Sequence, residues 1–231
     1  MHFVTFEQVA ERFKGKSVAI VGSAPSVLDN APGLVDSFDV VVRVNNYKTG
    51  AAQGYRCDVH YAFYGASVTK SDDSLKADGV TLCMCKCPND KPIASEWHQR
   101  HNRNNGVDFR YIYQSRATWW FCDTFVPDVP RFMYKFDLLA QHIPTTGFAA
   151  VIDVIDCNPS TVYLTGFDFF ASRIHNVDER WRPGNPNDPI GHRPEIEAAW
   201  IAMNAHRYPM LFDKKLSGII EYHLQAMGVA P

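Results

Sequence analysis

His192 stands in the run DPIGHRPEIE, just ahead of Pro194 and a stripe of apolar residues spaced as in a helix. A histidine there can serve as a general base, because the positive end of a helix dipole disfavours imidazolium and keeps the ring in its proton-accepting form. Glu195 and Glu197 act in the opposite sense if either side chain reaches the ring. The position equally suits a histidine that only caps the helix. Thr145 and Thr146, opening PTTGFAAVIDVIDC, form a second candidate. Two threonines at a helix start offer hydroxyls and N–H groups to an anion, and they are also ordinary capping residues.

Three strand ends carry further candidates. SVAIV runs into Gly22, Ser23 and Ala24, where a residue without a Cβ lets the backbone come close to a ligand. FDVVVRVNN brings Asn45 to a strand tip, where its amide can read a base or a sugar or simply form a turn. TVYLTGFDFF ends at Gly166, Asp168 and Phe169, and ligands of open α/β sheets gather outside the carboxyl ends of strands. Beyond it, residues 169–191 have little periodicity and are rich in Pro, Gly, Asn and charge. A segment of that length predicts a lid, on which Arg173, His175, Arg180 and Arg182 would suit a phosphate or lie in solvent.

The elements that must position these residues alternate strand and helix, which predicts an α/β fold: Rossmann-like, a mostly parallel sheet with helices on both faces and a lid insertion. Strands are expected at 17–22, 38–46, 57–65 and in VTLCMC, with a proline-started helix after Gly22, a polar helix near 91–103 and another strand in FRYIY. Phe148, Val151, Ile152 and Ile155 form one face of a helix that Asn158 and Pro159 stop. Ile196, Trp200 and Met203 form the stripe of the helix after His192. We expect one domain over 1–231, and no internal repeat is visible.

The 231 residues are 46% hydrophobic and 21% charged, ordinary globular usage, and the net charge of −2 gives no general attraction to nucleic acid or anionic lipid. The first sixteen residues read as a short amphipathic helix without the apolar core of a signal peptide, and no run is long enough to span a membrane. We therefore expect a cytoplasmic protein with no spanning segment, with peripheral membrane association and homo-oligomerisation left open. Six cysteines are too few for a disulfide framework. Cys83, Cys85 and Cys87 alternate along a strand and so share a face; buried or edge thiols fit better than zinc, since the spacing is narrow and a fourth ligand is not apparent. Gly-Ser-Ala-Pro-Ser-Val is not the Gly-x-Gly-x-x-Gly turn, and Arg43, Asn45 and Asn46 replace the acid that holds a ribose, which disfavours a dehydrogenase, with Arg43 as the one feature that would suit NADP.

The order GSAPSV, FDVVVRVNNY, TTGFAAVIDVIDCNPSTVYLTGFDFF, lid, IGH resembles the bacterial lipooligosaccharide sialyltransferases, glycosyltransferase family 42, over residues 17 to 210. The resemblance implies an inverting, metal-independent glycosyltransferase with no cofactor, taking sialic acid or a related acidic sugar from a CMP donor to a glycan hydroxyl. It makes His192 the general base, sets Gly22, Ser23 and Ala24 against the nucleotide, gives Asn45, Thr145 and Thr146 contacts to CMP or its sugar, and assigns Gly166 to Phe169 to the cytidine side. Three departures stand out: Ser23 replaces an asparagine, Ile143 an arginine, and Phe170 a tyrosine that steadies the departing phosphate. No tyrosine lies in 171–191 to match a second one, so Arg173, His175, Arg180 and Arg182 become the phosphate candidates. Trp119 and Trp120 could stack on an acceptor sugar or belong to a core. The same scaffold with a different nucleotide sugar, or a nucleotide- or glycan-binding protein without catalysis, are the alternatives.

Overall fold

The computed structural model describes residues 2–63, 70–88, 121–172 and 192–228. Its strands are β1 (His2–Phe3), β2 (Ser17–Val21), β3 (Val40–Val44), β4 (Val59–Ala62), β5 (Leu82–Cys85), β6 (Asp123–Phe125), β7 (Thr161–Thr165) and β8 (Met210–Phe212). They form one sheet in the order β1-β6-β5-β4-β3-β2-β7-β8. Every adjacent pair is parallel, so the sheet goes further than the mostly parallel one expected. From β2 the chain builds outward through β3, β4 and β5 to β6, then returns to lay β7 on the other side of β2. The strand order thus reverses between β2 and β7, the place where such sheets hold ligands.

SVAIV, VVVRV and TVYLT are nearly continuous apolar runs because both faces of the sheet are covered. Val18, Ile20, Val42, Val44, Tyr61, Leu82 and Met84 face one core with helices α1 (Phe6–Phe13) and α4 (Thr146–Ile155). Cys83, Cys85 and Ala62 face another with Leu75 of α2 (Asp72–Ala77) and Phe132 and Phe136 of α3 (Val129–Asp137). α4 is buried from Phe148 to Ile155 without a break, more than the one face its spacing predicts. Two further helices, α5 (Pro194–Asn204) and α6 (Lys214–Ala226), complete the layer.

Some sequence expectations are corrected. The segment after Gly22 is a 3-10 turn, Pro25–Asp29, too short to be an α-helix. In α5 the stripe is rotated: Ala198, Ile201 and Ala202 are buried together with Glu197, Ile196 and Trp200 flank them, and Met203 is 49% exposed. The polar helix near 91–103, FRYIY, Trp119, Trp120 and lid residues 173–191, with Arg173, His175, Arg180 and Arg182, lie outside the described residues.

α4 carries a buried charge centre. Asp153 is fully buried and accepts the Tyr61 hydroxyl (2.6 Å), Nζ of the fully buried Lys135 (2.7 Å) and Nε of Arg131 (2.8 Å). Arg131 also reaches Asp156 at 3.0 Å. Burial and the neighbouring carboxylate push the Tyr61 phenol well above its ordinary pKa, so it remains a donor. This hub ties α4 to β4 and α3.

Candidate active site

At the reversal point the turns after β2 and β7 touch. Gly22 N–H donates to the Thr165 carbonyl and Ala24 N–H to that of Gly166, both at 2.8 Å. A Cβ on Gly22 would overlap the Gly166 carbonyl oxygen; one on Gly166, whose φ is +72°, would stand 2.8 Å from the Gly22 oxygen. Both glycines are therefore required by the close approach of two backbones, a need that is met before any ligand binds. Asp213 locks the junction. One of its oxygens accepts Gly166 N–H (2.9 Å), the Thr165 hydroxyl (2.9 Å) and the Ser26 hydroxyl (3.1 Å), while the other caps α6 through Leu216 N–H (2.8 Å).

A second junction holds the start of α4. Glu197, 1% exposed on α5, accepts the Thr145 N–H at 2.5 Å and the Thr145 hydroxyl at 2.7 Å. That hydroxyl in turn accepts Phe148 N–H at 3.1 Å, making Thr145 the N-cap. Thr145 is thus engaged by protein, and Thr146, half-buried at the first helical position, is the member of the pair that Glu197 does not engage. Gly147 beside it has no room for a Cβ, which would stand 2.6 Å from the Phe167 ring. Phe167 follows β7, so α4 begins at the carboxyl edge of the sheet.

His192 joins the same junction. Its Nδ1 lies 2.9 Å from the Ile143 carbonyl oxygen. A carbonyl only accepts, so Nδ1 carries the proton and the lone pair falls on Nε2. The ring is solvent-exposed and Arg193, not His192, occupies the N-cap position of α5. His192 and Glu197, five residues apart, grip Ile143 and Thr145, so one stretch of chain orients both the imidazole and the start of α4.

Asn45 ends β3 with φ 51°, a left-handed conformation that asparagine tolerates. Its carbonyl accepts from Nε2 of buried His60 at 2.8 Å and its side-chain oxygen accepts Phe63 N–H at 3.4 Å. Asp168, 6% exposed, accepts Phe170 and Ser172 N–H, both at 3.0 Å, and so shapes a turn in which Phe169 (φ 50°) and Phe170 (φ 65°) are both left-handed. A cleft of about 770 Å³ opens beside this turn, lined among others by Asp29, Asp168, Phe169, Glu195, Lys214 and Tyr222. Arg43 does not reach such a cleft: it is fully buried and donates to the carbonyls of Arg56 (2.7 Å) and Gln53 (2.8 Å), which removes the NADP reading.

Cys83, Cys85 and Cys87 are buried on one face, and Cys83 Sγ lies 3.4 Å from Cys122 Sγ. Among the described residues no group of three or more His, Cys, Asp or Glu could hold a metal ion, and no helix is long and apolar enough to cross a membrane. Sequence reasoning missed Asp213 and the buried role of Glu197. Asp213 ahead of KKLSG carries an N-cap signal. Glu197 carries none, since a glutamate in the first turn of a helix reads as a solvated dipole partner.

Burial pushes the Glu197 carboxyl from 4.5 up to about 7, outweighing the two bonds from Thr145 and the charge of Lys86, which favour ionisation. The folded state therefore holds this proton more tightly than the unfolded chain. Its stabilising contribution is complete below pH 4.5 and is lost as pH rises through about 7. Denaturant titrations at several pH values should show wild-type stability falling over that window relative to Glu197→Gln, by roughly 3 kcal/mol at most. Parallel pH profiles for the two proteins would refute it.

No family model matches this chain, and no curated protein does. Solved structures do. A crystal structure of a mammalian sialyltransferase superposes with a TM-score of 0.57 at 16% identity, covering 86% of this chain and 68% of that one. The monofunctional alpha-2,3-sialyltransferase Cst-I from Campylobacter jejuni gives 0.56 at 12% identity, covering 86% and 76%. The sialyltransferase CstII from the same organism, in complex with the substrate analogue CMP-3FNeuAc, gives 0.54 at 13%, covering 93% and 85%. At these identities the likeness is one of architecture: this chain has the fold of the solved sialyltransferases.

Proposed function

We propose that this protein is an inverting, metal-independent glycosyltransferase that moves sialic acid or a related acidic sugar from a CMP donor to a glycan hydroxyl. The observation that carries the reading is the His192 ring, held by the Ile143 carbonyl at the carboxyl edge of a sialyltransferase-like sheet, next to the first turn of α4. In the proposed step Nε2 of His192 takes the proton of the acceptor hydroxyl while its oxygen bonds to the anomeric carbon. The bond from that carbon to the CMP phosphate oxygen breaks, and CMP leaves with the electron pair. The transition state resembles an oxocarbenium ion, so fixed donors aimed at the departing phosphate contribute most.

Gly22, Ser23 and Ala24 would border the nucleotide, Asn45, Thr145 and Thr146 would contact CMP or its sugar, and Gly166, Asp168 and Phe169 would flank the cytidine beside the cleft. Thr145 acts through its backbone and its hold on the helix start, since its hydroxyl is bonded to Glu197. Arg173, His175, Arg180 and Arg182 remain candidates for the phosphate, and the acceptor glycan and a cytoplasmic location belong to the same reading. The test is calorimetric titration with CMP, against UMP, GDP and NADP, without added metal. Selective CMP binding followed by slow hydrolysis of a CMP-sugar supports it. Preference for another nucleotide moves the scaffold to a different donor, CMP binding without hydrolysis or transfer indicates a binding protein, and no binding leaves the likeness as fold alone.

A further inference from the structure

Among the described residues two lysines are buried, and they are treated differently. Lys135 is fully buried with its ammonium on Asp153 at 2.7 Å. Lys86 is 6% exposed, and among the described residues nothing hydrogen-bonds or ion-pairs its ammonium within 4 Å. A lysine largely withdrawn from water, with no described partner for its ammonium, carries a desolvation penalty, so a residue of this kind is a candidate for binding an anion that arrives later.

Its location favours that role. Lys86 follows β5, and its N–H continues the ladder to the Ala62 carbonyl at 3.0 Å, so it stands at the carboxyl edge. Strand alternation sends Cys83, Cys85 and Cys87 to one face and Leu82, Met84 and Lys86 to the face covered by α4. The charges of Glu197 and Lys135 both act on it. Glu197 is the carboxylate that holds Thr145 at the start of α4, and it directs both oxygens to that residue. Lys86 therefore lies on the α4 side, at the end where α4 begins. There, apart from Phe148 N–H, which Thr145 caps, the first-turn N–H groups have no intrahelical acceptor.

We propose that Lys86 is a ligand-binding cation which, with the first turn of α4, receives one oxyanion of the activated acidic sugar, either the phosphate or the sugar carboxylate. This rests on the donor reading above and adds a residue to it. Burial lowers the Lys86 pKa, and an incoming oxyanion would favour the charged form again.

The experiment is calorimetry on wild type, Lys86→Met and Lys86→Gln with three probes: cytidine, CMP, and a hydrolysis-resistant fluorinated CMP-sialic acid. Expected is a loss of about tenfold or more for an anionic probe in both variants, with cytidine binding unchanged. Loss already with CMP assigns the phosphate; loss only with the sugar-bearing analogue assigns the carboxylate. Both variants should melt no lower than wild type, since they remove an unpaired buried charge. Variants that bind all three probes as wild type does would overturn the proposal. A wild type that binds none of them fails the donor reading first, and the assignment of Lys86 with it.

Discussion

Under the proposed mechanism, His192→Ala is expected to lower the turnover of sugar transfer by about 10²–10⁴-fold, the usual contribution of a positioned general base, while leaving the affinity for CMP unchanged. The asymmetry follows from the geometry. Nδ1–H is anchored on the Ile143 carbonyl, so Nε2 is the proton-accepting nitrogen, and in the proposed step it takes the proton of the acceptor. A ring that served only to fasten segment 143–146 would give another result: CMP affinity would fall along with turnover, because Thr145 and Thr146 would shift. Initial rates at saturating donor together with calorimetric CMP binding separate the two. A loss of less than about tenfold in turnover, or an equal loss in both quantities, would end the assignment of His192 as base.

Asp153→Ala is expected to cost about 3–5 kcal/mol, because it leaves the ammonium of Lys135 and part of the Arg131 guanidinium buried and unpaired, besides stranding the Tyr61 hydroxyl. Domains of this size unfold at roughly 5–15 kcal/mol, so this one carboxylate carries a large share of the total. Urea unfolding should show the midpoint falling steeply. The pair Asp153→Leu with Lys135→Met should recover much of the loss, since it removes the stranded ammonium as well as its partner. A single-variant loss below about 1 kcal/mol would mean that water reaches these groups and that the hub is not sealed.

The central sheet was legible because β2, β3 and β7 are apolar almost throughout, and only strands covered on both faces read that way. β6 and β8 were not, since three-residue strands such as DTF and MLF carry no period. The helix after His192 was located correctly from Pro194, but its buried face was misjudged. Met203 belongs to the expected apolar stripe and is exposed, whereas Glu197, expected only as a possible partner of His192, is buried on Thr145. That inversion is a tertiary effect: a buried carboxylate is tolerated only because a helix cap elsewhere in the chain supplies its hydrogen bonds. The site glycines were picked out for a possible ligand, and their observed partners are each other's backbones. Lys86 lies within CMCKC, whose alternating thiols mark the opposite face of the same strand, so the sequence pattern carries no signal for it.

The bonds of Asp213 also bear on the order in which the protein can be assembled. β2 is formed by residues 17–21, yet the neighbour on its second side is residues 161–165, and the carboxylate that fastens both to the first turn is residue 213. During synthesis the flank of β2 that will meet β7 therefore stays open while about 140 further residues emerge, and loop closure over such a span is slow. This carboxyl edge of the sheet cannot be completed locally and then extended. It is one of the last parts to close: nascent chains that stop short of residue 161 present an unpaired central strand to one another, and those that stop short of residue 213 lack the carboxylate that locks the junction.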